Sequence, residues 1–159
     1  MKFVFLFWLS FAVNSAWGQQ TPEVSSEPFR PYVAPGVLLS SGQVSYAVEP
    51  GLYTPKVWFG LPLEYTIVND STQTLFAGLK LYYRAARLGN KTDLFVYGAP
   101  KVQVNSDALP LVFEPGALVV TNLSDVFALW ASFSTTFYEN ETPFVPAYFG
   151  SGAGVMFSF

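Results

Sequence analysis

The chain has 159 residues, of which 12% are charged, 51% hydrophobic and 18% aromatic, and its net charge is −3. A soluble domain averages about 25% charged residues, so there is too little charge here to coat an ordinary aqueous surface. Eight lysines and arginines leave no basic footprint for nucleic acid, and no such partner is expected. Without cysteine there are no disulfides, thiolate metal sites, thiol nucleophiles or cysteine-borne lipid anchors. Without histidine the commonest general base and metal ligand are missing too.

Residues 1–18 read as a secretory signal. Lys2 supplies a positive start, Phe3 to Val13 an apolar core, and Ala16-Trp17-Gly18 small residues at the −3 and −1 positions of a cleavage site. A retained anchor is the alternative, but the apolar core is short for a membrane span. Residues 19–30 are polar and Pro-rich and read as an extended leader. Residues 31–159 then form one barrel domain of apolar-rich runs. The separators "SSG", "EPG", "NDST", "LGNK", "NSD", "NLSD" and "YENET" carry turn chemistry.

In chain order the expected strands are 31–40 and 43–49 around "SSG", then 56–68, 75–87, 92–104, 111–121, 125–138 and 145–159. The total is eight, or seven if 32–48 is a single strand. Side chains on a strand alternate between faces. In 56–68 Val57, Phe59, Leu61, Leu63, Tyr65 and Ile67 oppose Trp58, Gly60, Pro62, Glu64 and Thr66. In 75–87 Leu75, Ala77, Leu79, Leu81 and Tyr83 oppose Phe76, Gly78, Lys80, Tyr82 and Arg84. In 125–138 Phe127, Leu129, Phe133 and Phe137 oppose Ala128, Trp130, Ser132 and Ser134.

Two architectures fit this alternation. In a secreted, soluble immunoglobulin-like sandwich that binds a carbohydrate or a protein, the apolar face turns to the core. In a membrane barrel it turns to lipid. The longer runs have about 11 to 15 residues, where soluble strands average about 5 to 6 and membrane strands need about 9 to 11. The opposite face mixes Gly, Ser, Thr and Tyr with isolated charges, as a narrow filled lumen requires. The expected fold is therefore all-β: an antiparallel up-and-down transmembrane barrel. Pro62, Pro100, Pro110 and Pro115 oppose a regular ladder, because each lacks a donor. Bulges or ends of pairing are expected there.

The last residues, Gly154-Val155-Met156-Phe157-Ser158-Phe159, fit a Gly-x-x-hydrophobic-x-aromatic pattern. They resemble the C-terminal β-signal of Gram-negative outer-membrane barrels, although Gly152 stands where that family often has a polar residue. With eight strands, the whole resembles the small OmpX/OmpA-type barrels. The resemblance implies an outer-membrane location, contact with lipid and lipopolysaccharide, and recognition of Gly154, Phe157 and Phe159 by the barrel-assembly machinery. It also implies a periplasmic terminus, which places "EPG", "LGNK" and "NLSD" in the periplasm and "NDST", "NSDALP" and "YENETP" outside. Phe59, Tyr83 and Phe127, with the two terminal Phe residues, then fall at the periplasmic boundary as an aromatic girdle.

The inward polar set is Glu64, Lys80, Arg84, Lys101, Gln103 and Glu114. In a narrow lumen these charges must pair. Glu64 lies across the "NDST" hairpin from the strand carrying Lys80 and Arg84. A plugging network and a narrow gated ion path are both consistent with the set; wide channels need about 16 strands. No catalytic residue, cofactor or metal is expected. Lipid A-modifying barrels rely on a histidine, which this chain lacks, and Glu139 and Glu141 read as a solvated turn. Asp70, Asp107, Glu139 and Glu141 are rim candidates for Ca²⁺ or Mg²⁺ shared with lipopolysaccharide phosphates. Asn69, Asn90, Asn122 and Asn140 stand in Asn-x-Ser/Thr acceptor sequences, which are also ordinary turn chemistry. The expected function is that of a small, non-enzymatic outer-membrane barrel with a structural or envelope role.

Overall fold

The computed structural model describes residues 28–69, 72–106, 109–138 and 148–159. The signal and almost all of the leader lie outside them. Among the described residues there is no helix; ten strand segments run in chain order. They are β1 (Arg30–Ser40), β2 (Gln43–Tyr53), β3 (Val57–Gly60), β4 (Leu63–Asn69), β5 (Thr72–Gly78), β6 (Lys80–Arg87), β7 (Thr92–Gln103), β8 (Leu111–Asn122), β9 (Phe127–Tyr138) and β10 (Tyr148–Ser158). β3 and β4 make one stave, broken at Leu61 and Pro62, and β5 and β6 make another, broken at Leu79. The result is eight staves.

All pairings are antiparallel, and β1 pairs with both β2 and β10. The sheet therefore closes on itself, with Val33 opposite Phe157, Gly36 opposite Gly154 and Ser40 opposite Gly150. Closure excludes the sandwich, because no edge is left and no second sheet is packed on the first. The apolar parity faces outward: Val37, Tyr46, Phe59, Leu63, Leu81, Val96, Leu129, Phe133 and Phe157 are all exposed. The other parity fills the lumen, where Tyr32, Trp58, Tyr82, Phe95, Tyr97, Leu118, Val120, Ala128 and Met156 form the core.

The first pair is full length, which settles the strand count at eight. Ser41 and Gly42 both have positive φ, 46° and 80°. That is the requirement of the two-residue hairpin turn that matches strand twist. One expected turn is corrected. Glu49-Pro50-Gly51 does not leave the sheet; β2 runs on to Tyr53. The reversal falls at Thr54–Lys56 instead, where the Thr54 N–H donates to Val57 O at 2.8 Å and Thr54 Oγ1 accepts from the Val57 N–H at 3.1 Å.

The prolines divide into two groups. Pro62 lies at the β3–β4 break and Pro110 just before β8, as ends of pairing. Pro100 and Pro115 stay within the β7–β8 register, opposite Phe113 and Gly98. Pro50, Pro62 and Pro100 still accept through their carbonyls, from the N–H groups of Leu61 at 2.9 Å, Gly78 at 3.2 Å and Leu79 at 3.1 Å. These bonds stitch the broken staves to their neighbours, so the interruption does not open the barrel.

Inward glycines make room for large neighbours. A Cβ on Gly36 would collide with the Trp130 ring and Ala153 O; one on Gly154 would meet Pro35 O, the Gly36 Cα and the same ring. Gly36→Val or Gly154→Val is therefore expected to prevent the β1–β10 closure. The measurement is the gel-mobility difference between unheated and boiled samples. It should vanish in both variants and persist in Gly89→Ala, whose added methyl meets nothing within 4 Å.

Candidate functional site

The chemistry of the molecule is concentrated inside the barrel, at the level where the two staves are broken. Lys101 on β7 is the centre. Its Nζ donates to Glu64 Oε1 of β4 and to Glu114 Oε2 of β8, both at 2.6 Å. All three side chains are buried. Between Glu64 and Lys101 stands β5, which presents Gly78 directly opposite Lys101. A Cβ there would strike the Lys101 side chain and the Pro100 carbonyl. Glycine at this position gives the lysine stem its passage across the stave.

Lys80 forms a looser second centre. Its Nζ lies 3.8 Å from Glu49 Oε2 and 3.8 Å from Glu114 Oε1. It also sits 4.3 Å from the centroid of the Tyr97 ring, within cation–π range. Glu49 is the member that sequence reasoning missed. The hydroxyls of Tyr32 and Tyr82 donate to its Oε1 at 2.5 and 2.8 Å. Gly60 leaves space for this carboxylate, since a Cβ there would meet it directly. The signal was present as the alternation 43, 45, 47, 49, but "Glu-Pro-Gly" has the composition of a turn.

The lumen thus pairs three carboxylates, Glu49, Glu64 and Glu114, with two ammoniums, Lys80 and Lys101. Hydroxyl donors make up the difference, with Tyr97 adding a bond to Glu114 at 3.2 Å. Below them, towards the chain termini, Tyr32, Tyr53, Trp58, Tyr82 and Phe95 form a contiguous aromatic stack; Trp58 and Phe95 have ring centroids 4.3 Å apart. Above them, towards the hairpin tips, lies a cavity of about 280 Å³ walled by Ser45, Thr66, Thr74, Gln103, Ser134 and Thr136. A second cavity, of only about 30 Å³, sits among Tyr32, Glu49, Trp58 and Lys80.

The six expected lumen residues therefore separate. Glu64, Lys80, Lys101 and Glu114 come together. Gln103 lines the upper cavity. Arg84 belongs to another group: its Nη1 lies 3.7 Å from Asp93 Oδ1, beside Arg87 near the end of β6. The expected pairing of Glu64 with Lys80 or Arg84 is also corrected. Hairpin adjacency places Phe76, not a cation, opposite Glu64. The true partner, Lys101, is one stave further on.

Phe59 and Tyr83 are exposed and Phe127 is half-buried against Phe157, their ring centroids 5.5 Å apart. All lie towards the end that carries the chain terminus. Gly154 is packed beneath Trp130, Phe157 faces outward, and the Phe159 N–H donates to Pro31 O at 3.1 Å. The residues of the proposed assembly signal thus sit on the closing strand. The rim candidates Asp70, Asp107, Glu139 and Glu141 lie outside the described residues. Among the described residues no group of three or more acidic side chains is placed to hold a metal ion.

A closed, eight-stave antiparallel barrel with an apolar exterior and a filled polar lumen is a transmembrane β-barrel in fold. Comparison with solved structures agrees. The chain is similar to the N-terminal β-barrel domain of OprF from Pseudomonas aeruginosa (TM-score 0.62, 19% identity, 82% of this chain and 97% of that one). It is also similar to a de novo designed transmembrane β-barrel (TM-score 0.58, 12% identity, 84% of this chain and 98% of that one). No protein-family model and no curated protein sequence matches.

Removing Lys101 alone strands Glu64 without a cation and leaves Glu114 with only the looser Lys80 at 3.8 Å and the Tyr97 hydroxyl, all in a low-dielectric interior. Lys101→Met is expected to cost about 3–5 kcal/mol of stability, measured by denaturant unfolding in detergent micelles. Adding Glu64→Gln and Glu114→Gln to the same chain should recover most of that loss, because no buried charge is then stranded.

Proposed function

We propose that this chain is a small, non-enzymatic β-barrel of a Gram-negative outer membrane with a structural, envelope-related role. In this reading residues 1–18 export the chain, the closing strand with Gly154, Phe157 and Phe159 engages the barrel-assembly machinery, and the mature barrel contacts lipid and lipopolysaccharide. Phe59, Tyr83 and Phe127 form part of its interfacial girdle.

The observation that carries the proposal is the ion-paired waist. Glu64, Lys101 and Glu114 bridge three staves across the lumen at 2.6 Å contacts. The aromatic stack fills the space beneath. An interior of eight staves is just wide enough for side chains. A charge network of this kind blocks water and solute while letting lumen residues keep their hydrogen bonds. The barrel is then a plug with an apolar exterior, and its working surfaces are its outer wall and its two ends.

Two measurements test this reading. Expressed with its leader in a Gram-negative host, the protein should fractionate with outer membrane and change gel mobility on boiling. Deleting Phe159 should abolish both. Recovery in soluble form without detergent overturns the membrane assignment. In planar bilayers the wild-type barrel should show no unitary conductance steps, and resolved steps would replace the plug with a narrow pore.

A further inference from the structure

Exposed charge is distributed unevenly around the end that carries Phe159. Arg30 opens β1, Lys56 lies in the β2–β3 turn, Arg87 closes β6 and Lys91 lies in the turn before β7; all four are exposed. These positions follow one another around five consecutive staves. Arg87 Nε donates to Asp93 Oδ1 at 3.1 Å, yet the Arg87 side chain remains 61% exposed. Asp93 does not join these cations at the surface: it also faces Arg84, and only 14% of its side chain is exposed. Among the described residues this sector exposes no aspartate or glutamate. The opposite sector differs. Its β8–β9 turn exposes Leu123, Asp125 and Val126, the last accepting from the Ser158 N–H at 3.0 Å.

The basic sector stands directly on an apolar strip. Phe29, adjacent to Arg30, packs its ring against Phe59 with centroids 5.9 Å apart. Phe59 lies opposite Leu52 on one side and Leu81 on the other, and Tyr83 lies opposite Val57 beside Lys56. Phe29, Leu52, Phe59, Leu81 and Tyr83 are all exposed. A cation row over a continuous apolar and aromatic strip matches one amphiphile: a phosphate headgroup above acyl chains. A water-soluble acidic partner would satisfy the cations and leave the strip uncovered.

We infer that this basic sector is a docking surface for the phosphate headgroups of anionic phospholipid in the leaflet beside the chain termini. The inference rests on the membrane reading above. Lysine and arginine near a membrane surface gain from anionic headgroups, and the gain falls off within a Debye length. Four cations on one side give the barrel a preferred lipid sector rather than a uniform lipid shell.

The test uses the full-length barrel refolded into phosphatidylcholine vesicles containing a trace of spin-labelled phosphatidylglycerol or spin-labelled phosphatidylcholine. Electron paramagnetic resonance reads the motionally restricted fraction of each. The expected result is about a threefold preference for phosphatidylglycerol at low salt. It should fall to near parity in Arg30→Gln/Lys56→Gln/Arg87→Gln/Lys91→Gln and, for the wild-type chain, in about 0.5 M NaCl. Parity in a wild-type barrel that shows the normal heat shift overturns the inference and leaves the membrane reading standing. So does a preference that neither salt nor the fourfold variant reduces. If no lipid is restricted and no heat shift occurs, the membrane reading falls and this inference with it. Should the variant not refold, the salt dependence of the wild-type barrel decides.

Discussion

The width of the lumen is the constraint from which the rest follows. Eight staves enclose a space that side chains can only just fill. Each inward position must therefore match its neighbours in size and in charge. Lys101 meets both demands. Its ammonium is held between two carboxylates at 2.6 Å, and its stem passes over a glycine. The same matching recurs at Gly60 beside Glu49, at Gly116 beneath the Tyr97 ring, and at Gly36, Gly152 and Gly154 around Trp130. Large and small residues alternate across staves because the interior admits no other packing.

The ion pairs sit at the height where the ladders are least regular. Pro50, the Leu61-Pro62 break, Leu79 and Pro100 lie on neighbouring staves around one side of the barrel, and Glu49, Glu64, Lys80 and Lys101 project inward at the same level. A broken ladder facing lipid would expose unsatisfied backbone groups at high cost. Carbonyls of the prolines accept from the next stave and limit that cost. The buried ion pairs join the same staves from within, so the least regular belt of the sheet is linked on both its backbone and its side-chain side.

In the plugged reading proposed above, the exterior and the ends are what remain for interaction. The wall is mainly apolar on the exposed parity, with Gln73 and Ser151 as polar exceptions, and the terminal end combines an aromatic rim with a one-sided row of cations. The lumen chemistry then serves mainly to hold the shape, while the environment is met by surface chemistry.

Much of this architecture is legible along the chain. Period-2 alternation assigns the two faces along most of the described strands from β3 to β10, and the "SSG" hairpin announces itself by its turn residues. Glu49 escaped because composition and periodicity disagreed there: Glu-Pro-Gly is built like a turn, yet the strand runs through it. Arg84 was grouped with Glu64 because hairpin neighbours are the only contacts that sequence order provides. Alternation is a local property of an extended backbone, so the sequence by itself determined most of the strands and their two faces, while the β1–β10 closure decided for the barrel over the sandwich and fixed the count at eight. Which charges meet across the lumen depends on how far each stave slides against the next when the sheet closes. That stagger is a property of the whole ring, and only the tertiary structure decided that Lys101 would stand between Glu64 and Glu114.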